Sequence, residues 1–195
     1  MRVGGVVLAA GSSSRLGRPK QLLLHEGQTL VRRTAEAAVA AGLLPVVAVL
    51  GAHPEAVAAE LAGLPVHPVL NPAWAAGMGL SLRVGLRALP PEVDAALVVL
   101  CDQLRVDAAH LAALVDTFTR THAPIVASGY AGARGVPALF SRALFAELEA
   151  LAPEEGARRV ITREPSRVVE VALAGGDEDI DTAADLSRLT GTPRG

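Results

Sequence analysis

The chain has 195 residues, and its 18 Lys and Arg against 20 Asp and Glu leave a formal net charge of −2. This length fits one domain of about 100 to 200 residues, so residues 1–195 are predicted to form a single domain. The weak charge and the aromatic content of 3% provide neither a basic surface nor stacking platforms, so no nucleic-acid partner is expected. No apolar run approaches the roughly 20 residues that span a bilayer, and no signal-peptide pattern follows Met1. We therefore expect a cytoplasmic protein with no membrane partner.

Short Val-rich runs alternate along the chain with longer segments of helical periodicity. The runs predict strands at Val3–Leu8, Val46–Leu50, Val66–Leu70, Ala95–Leu100, Ile125–Ser128 and Val168–Val171. The periodic segments predict helices at Thr29–Ala41, Glu55–Leu61, Leu80–Leu89, Ala108–Arg120 and Ser141–Leu151. Strands that are apolar on both faces are typical of a sheet covered by helices on each side. The pattern therefore predicts a three-layer α/β fold around a mainly parallel sheet.

Polar residues follow three of the predicted strands, at the sheet edge where open α/β sheets bind ligands. The first strand runs into the glycine-rich loop Gly11–Lys20, the fourth ends at Asp102, and the last precedes the segment Asp179–Thr182. We therefore expect the functional site to combine these three segments.

The loop Gly11–Lys20 has the composition of a phosphate site. Its glycines permit unusual backbone conformations, its serines supply hydroxyl and closely spaced N–H groups, and its cations are Arg15, Arg18 and Lys20. Neither the Walker pattern G-x-x-x-x-G-K-[ST] nor the dinucleotide fingerprint G-x-G-x-x-G is present. The loop predicts a triphosphate site, and a flexible surface turn with solvated charges is the alternative.

Asp102 is the candidate metal ligand, because Mg²⁺ is usually held by one or two carboxylates together with substrate phosphates. Asp179 and Asp181 alternate about Ile180, so an extended segment would turn both carboxylates the same way and complete the site. The alternatives are that Asp181 caps a helix near Thr182 and that Asp179 lies in a solvated turn.

Several motifs, taken together, resemble the molybdenum cofactor nucleotidyltransferases. Leu8-Ala9-Ala10-Gly11-x-Ser13-x-Arg15-x-Gly17-x-x-Lys20-x-Leu22 resembles the family's first signature. Asn71-Pro72-x-Trp74-x-x-Gly77-Met78-Gly79-x-Ser81-Leu82 is similar to the second signature of the cytidylyltransferase branch, and Cys101-Asp102-Gln103 is similar to its metal motif. Gly135-Val136-Pro137, Gly156-Ala157-Arg158 and Asp179–Thr182 extend the resemblance over nearly the whole chain.

The resemblance implies a Rossmann-like nucleotidyltransferase that uses CTP and Mg²⁺ to transfer CMP to molybdopterin. It implies catalytic roles for Arg15, Lys20 and Asp102, and Mg²⁺ ligation by Asp102 and Asp179. It implies nucleotide contacts at Leu8, Ala9, Ala10, Gly11, Ser12, Ser13, Ser14, Arg15, Lys20, Asn71, Gly77, Met78, Gly79, Ser81 and Asp102. Ala10, where the guanylyl branch usually has a second Gly, favours cytidine. A molybdoenzyme, or a chaperone of one, is a further candidate partner.

Some positions depart from the family pattern and leave alternatives open. Leu104 stands where the metal motif normally has Pro, and Glu154 stands in place of a frequent Asp. The alternatives are a GTP-using enzyme, an enzyme acting on another phosphorylated small molecule, and a non-catalytic nucleotide- or cofactor-binding module. A dinucleotide-dependent oxidoreductase is disfavoured by the missing fingerprint glycine.

Three further sets of residues remain. One has no expected role in the chemistry, and the other two each have two possible roles. Cys101 is expected to be a buried, inert thiol. Trp74 is either core or a wall of the nucleotide pocket. Three arginines either meet the acceptor's anionic groups or are ordinary surface residues: Arg134, Arg158 and Arg159.

Overall fold

The computed structural model describes residues 1–190, so the last five residues of the predicted domain lie outside it. The strands are β1 Val3–Ala9, β2 Leu24–His25, β3 Gln28–Thr29, β4 Val46–Leu50, β5 Val66–Leu70, β6 Ala95–Leu100, β7 Ile125–Tyr130, β8 Ala133–Ser141 and β9 Val168–Ala172. The helices are α1 Leu30–Ala40, α2 Pro54–Glu60, α3 Met78–Arg87, α4 Ala108–Thr121, α5 Phe145–Glu149, α6 Arg158–Arg163 and α7 Ala183–Thr190.

Seven strands form one sheet in the order β5-β4-β1-β6-β8-β7-β9, and β2 pairs with β3 in a separate two-stranded ribbon. Within the large sheet β8 runs antiparallel to both of its neighbours, β6 and β7, whereas the other pairs are parallel. The predicted α/β class and the mainly parallel sheet are therefore confirmed.

Helices cover both faces of this sheet, as the apolar strands predict. Successive residues of a strand point to opposite faces. Val7 therefore packs with Val31 of α1 and the helices on its side, and Val6 packs with Leu82 of α3 and the helices on the other side. Val6 and Val7 are both fully buried, which explains why the strand has no polar alternation. The result is a three-layer arrangement with a core on each side of the sheet.

Strand β8 is the main element that the sequence pattern does not predict. The predicted helix Ser141–Leu151 is wrong at its start, because Ser141 is the last residue of β8 and pairs with Ala95. A 3₁₀ turn, Arg142–Leu144, follows, and α5 occupies only Phe145–Glu149. Pairing with β6, which is distant in sequence, overrides the local helical periodicity.

Gly135 and Pro137 conceal β8 in the sequence, since both residues are disfavoured inside strands. The β7–β8 register passes from Ala127↔Ala138 to Ser128↔Gly135, so it skips Val136 and Pro137. A bulge of this kind accommodates a proline and bends the strand. This bulge lies beside the candidate site described below.

No helix within residues 1–190 combines the length and the apolar character that a membrane span requires.

Candidate active site

The ends of β1 and β6 open onto a cavity of about 240 Å³. These strands are neighbours in the sheet, with Leu8 beside Leu100, so the loops that follow them start side by side. The cavity is lined by Leu8, Ala9, Ala10, Gly11, Lys20, Gln21, Trp74, Gly77, Met78, Ser81, Leu100, Cys101 and Asp102. Three segments that the motifs singled out are thereby brought to one place.

The lining does not coincide with the set of residues that the resemblance implies. Four lining residues were not among the predicted site residues: Gln21, Trp74, Leu100 and Cys101. Six predicted nucleotide contacts lie outside the lining: Ser12, Ser13, Ser14, Arg15, Asn71 and Gly79. Most of these six residues lie next to the cavity or support its wall. The predicted metal ligand Asp179 also lies outside it.

Ser13 shapes the glycine-rich loop. Its backbone has a φ of 57°, and its carbonyl accepts hydrogen bonds from the N–H groups of Leu16 and Gly17 at 2.9 and 3.2 Å. Its hydroxyl accepts a hydrogen bond from the Lys20 N–H at 3.0 Å. In residues 1–190 no partner is found for the N–H groups of residues 11–14, so these donors are free for an anion.

Gln21 fastens the start of this loop. Its side chain is only 2% exposed, and its Nε2 donates to the carbonyls of Ala9 and Gly11 at 3.1 and 2.7 Å. The carbonyl between them, that of Ala10, accepts from the Ala52 N–H at 3.0 Å. All three carbonyls therefore have hydrogen-bond donors within the protein. Gln21 lies in the 3₁₀ turn Lys20–Leu22. Its position directly after Lys20 is the one sequence signal that could have identified it.

Lys20 is the central cation of the site. Its Nζ lies 2.6 Å from Asp102 Oδ2 and 3.2 Å from Asp181 Oδ1, and it donates to the Ile180 carbonyl at 3.3 Å. Burial by itself lowers the pKa of Lys20, but the charges and hydrogen bonds of Asp102 and Asp181 outweigh it and raise that pKa above its ordinary value. Lys20 is therefore held in its charged form.

Arg15 lies farther from the cavity. Its guanidinium is 3.5 Å from Asp181 Oδ1, and the two side chains are 75% and 41% exposed. Asp181 thus faces the cations of the loop rather than capping a helix. Thr182 caps α7 instead, because its Oγ1 accepts from the Asp185 N–H at 3.2 Å while Asp185 Oδ2 accepts from the Thr182 N–H at 2.9 Å.

Asp179 is brought to Asp102 by backbone pairing. Gln103 and Asp179 form an antiparallel bridge, and the Ile180 N–H donates to the Asp102 carbonyl at 3.3 Å. Burial, followed by the negative charges of Asp102 and Asp181, raises the pKa of Asp179 to about 7, and Lys20 opposes this only in part. Asp179 therefore has three carboxylates near it, those of Asp102, Asp181 and Asp177, but only one cation, Lys20.

The two predicted metal ligands fit a divalent cation. Asp102 Oδ1 and Asp179 Oδ1 are buried oxygens without a hydrogen-bond partner in the described part of the chain. No cluster of three or more His, Cys, Asp and Glu side chains that could hold a metal occurs in residues 1–190. Mg²⁺ suits such a sparse site, because it usually takes most of its ligands from phosphates and water.

The glycines around Met78 allow a close approach of two chain segments. Gly77 has a φ of 137°, and a Cβ there would collide with the Pro153 carbonyl. The Gly79 N–H donates to that same carbonyl at 2.9 Å. Asn71 plays a related supporting part, because its Nδ2 donates to Ser81 Oγ at 3.0 Å at the start of α3. Gly79 and Asn71 therefore shape the cavity wall without lining it.

Cys101 and Trp74 both line the cavity but differ in chemistry. The Cys101 thiol is buried and free, and burial followed by the Asp102 charge raises its pKa to about 12. The expected burial is confirmed, and the raised pKa favours the unreactive protonated thiol. Trp74 packs against one of the two cores and also lines the cavity, so both interpretations of this residue hold.

A second cavity of about 200 Å³ adjoins the first. The two share Leu8, Met78 and Leu100, while Asp102 lines the first and Asp179 lines the second. The remaining residues of the second cavity are Val98, Gln103, Tyr130, Gly135, Val136, Gly156, Ala157 and Arg158. The acidic pair therefore stands between a cavity with a phosphate-type loop and a cavity with mostly apolar walls.

A glycine-rich loop after the first strand and a carboxylate after the central strand are the features of a nucleotidyltransferase with a Rossmann-like fold. The chain belongs to the MobA-like NTP transferase family, whose domain description matches residues 5–168. The resemblance to nucleotidyltransferases drawn from the motifs is therefore confirmed at the level of this family.

Three relatives match almost the whole chain. The Nicotine blue oxidoreductase of Paenarthrobacter nicotinovorans is 32% identical over 96% of each chain. The Purine catabolism protein PucB of Bacillus subtilis is 31% identical over 95% of this chain and 94% of its own. The crystal structure of Rv0371c from Mycobacterium tuberculosis superposes with a TM-score of 0.84 at 35% identity, covering 98% of this chain and 99% of that one. A complex of Rv0371c with manganese superposes with a TM-score of 0.82 at 32% identity, covering 99% of this chain and 100% of that one.

Proposed function

We propose that this protein transfers CMP from CTP to the molybdenum cofactor, molybdopterin bearing molybdenum, with release of pyrophosphate. The observation that carries the proposal is the position of Lys20, Asp102 and Asp179 between two adjoining cavities, one for a donor and one for an acceptor. Ala10, which lines the donor cavity, supports cytidine through its place in the family signature. We place the reaction in the cytoplasm, with a molybdoenzyme or its chaperone as the recipient of the product.

The donor triphosphate would lie over the glycine-rich loop. The free N–H groups of residues 11–14 would donate to phosphate oxygens, and Arg15 and Lys20 would add positive charge. Trp74, Met78 and Ser81 line the rest of the donor cavity, which leaves them to contact the nucleoside. Such a cavity holds a nucleotide through a few polar groups on an otherwise apolar wall.

The reaction is an in-line displacement at the α-phosphorus. A terminal phosphate oxygen of the acceptor forms the new P–O bond, the bond from the α-phosphorus to the bridging oxygen breaks, and pyrophosphate leaves with that oxygen. A phosphate nucleophile is already ionised, so the protein has to position it and balance charge rather than remove a proton. Lys20 and Arg15 would neutralise the leaving pyrophosphate. Mg²⁺ bound at Asp102 and Asp179 would supply further charge neutralisation at the phosphates.

The first experiment is binding of CTP, GTP, ATP and UTP with and without Mg²⁺, measured as a rise in thermal midpoint. A ligand at a hundred times its dissociation constant stabilises the protein by about 2.7 kcal/mol, which is easily measured. We expect a Mg²⁺-dependent preference for CTP, followed by pyrophosphate release on addition of molybdenum cofactor. Preference for GTP would indicate a guanylyltransferase. Binding without pyrophosphate release with any phosphorylated acceptor would favour the non-catalytic module.

One relative favours a second candidate function. The name Nicotine blue oxidoreductase belongs to a protein that is 32% identical over 96% of this chain, so an oxidoreductase is the alternative to test. Position 13 holds Ser where the dinucleotide fingerprint needs Gly, which opposes nicotinamide dinucleotide binding at the first loop. Titration with NADH and NADPH, followed by nicotinamide fluorescence, would distinguish the two. Tight binding of either would favour the oxidoreductase.

A further inference from the structure

We propose that Arg158 is an acceptor-binding residue that holds a phosphate group of a flat heterocyclic acceptor in the second cavity. The inference rests on the proposed function, since it assigns the acceptor to the cavity beside the CTP cavity. It deepens that function by naming the residue that selects a phosphorylated acceptor over its unphosphorylated form.

The guanidinium of Arg158 has no partner in the described part of the chain. Its side chain lies at the surface and lines the second cavity, yet no hydrogen bond or ion pair uses its nitrogens. The neighbouring arginines are paired: Arg134 lies 3.0 Å from Glu170, and Arg159 lies 3.4 Å from Glu155. Arg158 is therefore the arginine of this region that is available for a ligand.

Arg158 lies on the lining of the second cavity, near Tyr130. Burial raises the pKa of Tyr130, and the charge of Arg158 is close enough to oppose that rise. The Tyr130 hydroxyl donates to the Val136 carbonyl at 2.8 Å, and Gln103 Nε2 donates to the same carbonyl at 2.9 Å. The bulge in β8 thus ties these two polar side chains to the strand. Arg158 is left as the cation of the cavity.

The other residues that line the second cavity indicate which kind of ring system the ligand contains. Leu8, Val98, Leu100, Val136 and Ala157 provide apolar walls that suit a planar ring system. Asp179, on the same lining, would repel an incoming phosphate unless a cation faced it. A guanidinium grips phosphate oxygens in a bidentate fork, which both neutralises and orients the group. A phosphorylated heterocycle satisfies these requirements.

The test compares Arg158→Gln with Arg159→Gln, which removes the same charge from the adjacent, paired residue of α6. The probes are 6-hydroxymethylpterin monophosphate and unphosphorylated 6-hydroxymethylpterin, followed by pterin fluorescence in the absence of nucleotide. We expect the wild type to bind the phosphorylated probe about 10- to 100-fold more tightly, as one charge-assisted contact predicts. Arg158→Gln should abolish that difference, and Arg159→Gln should retain it.

The outcomes distinguish failure of the Arg158 proposal from failure of the proposed function. Equal binding of both probes by the wild type, or an unchanged preference in Arg158→Gln, would overturn the role of Arg158. In the pyrophosphate assay we expect Arg158→Gln to raise the KM for molybdenum cofactor about 10- to 100-fold while the CTP dissociation constant stays unchanged. Failure of the wild type to bind CTP would overturn the proposed function alone. Retention of the wild-type thermal midpoint in both variants verifies that they are folded.

Discussion

Replacement of Lys20 by Met tests how the site balances its charges before any substrate arrives. The variant keeps the length of the side chain but leaves Asp102, Asp179 and Asp181 without the ammonium group at 2.6 Å from Asp102 Oδ2. At that distance the attraction is about 6 kcal/mol for an effective dielectric constant near 20. Desolvation of both groups offsets much of it. Breaking a buried pair typically costs about 3 to 5 kcal/mol.

We expect a smaller loss for Lys20→Met than for a fully buried pair, because Asp181 is 41% exposed and water can approach it. We expect the free energy of unfolding to fall by about 2 to 3 kcal/mol, which lowers the thermal midpoint by about 5 to 10 °C. Mn²⁺ or Mg²⁺ should reverse part of this loss, since a divalent ion can balance the same carboxylates.

The assay is urea unfolding of wild type and variant in EDTA and again with excess Mn²⁺. Arg18→Met is the matched control, because Arg18 lies in the same loop, is exposed and has no ion pair in residues 1–190. Its effect should stay within about 0.5 kcal/mol. If Lys20→Met were as stable as wild type in EDTA, Lys20 would not be balancing the carboxylates, and the account of the site's electrostatics would be wrong.

Three further predictions concern Asp102, Asp179 and Gly85. Asp102→Asn should lower transfer by about a hundredfold or more while the fold is retained, and full pyrophosphate release in Mg²⁺ buffer would contradict the metal assignment. Asp179 has a folded pKa of about 7 against an ordinary value of 3.8, so in EDTA it stabilises the protein at acid pH and this contribution is lost as pH rises from about 4 to about 7. Urea midpoints of Asp179→Asn should therefore fall less over that range, and parallel curves for variant and wild type would refute the shift. Gly85→Ala would push a Cβ against Val6 and to 3.0 Å from Val49, which should cost about 1 to 3 kcal/mol in urea unfolding, and a neutral effect would show that α3 can move off the sheet.

The predictability of the fold differs between its strands. Val6 and Val7 bury opposite faces of β1, so an uninterrupted apolar run was sufficient to indicate a strand covered on both sides. Strand β8 was missed because Gly135 and Pro137 weaken the local pattern, and its stability comes from pairing with β6 and β7. Pairing between distant segments leaves little trace in a local window of sequence.

The candidate site shows the same division. The order of the motifs was enough to identify the nucleotidyltransferase family. It also pointed to the loop Gly11–Lys20, Asp102 and Asp179, because these local segments have the composition that a phosphate site and a cation site require. The clamp by Gln21 and the contact of Lys20 with Asp102 across 82 residues depend on how the chain folds back on itself. So does the free guanidinium of Arg158. The sequence by itself determined the layered α/β class and pointed to the segments that border the candidate site. Only the tertiary structure decided which of their side chains are paired and which remain free, since hydrogen bonding, burial and charge balance depend on distances between residues far apart in the chain.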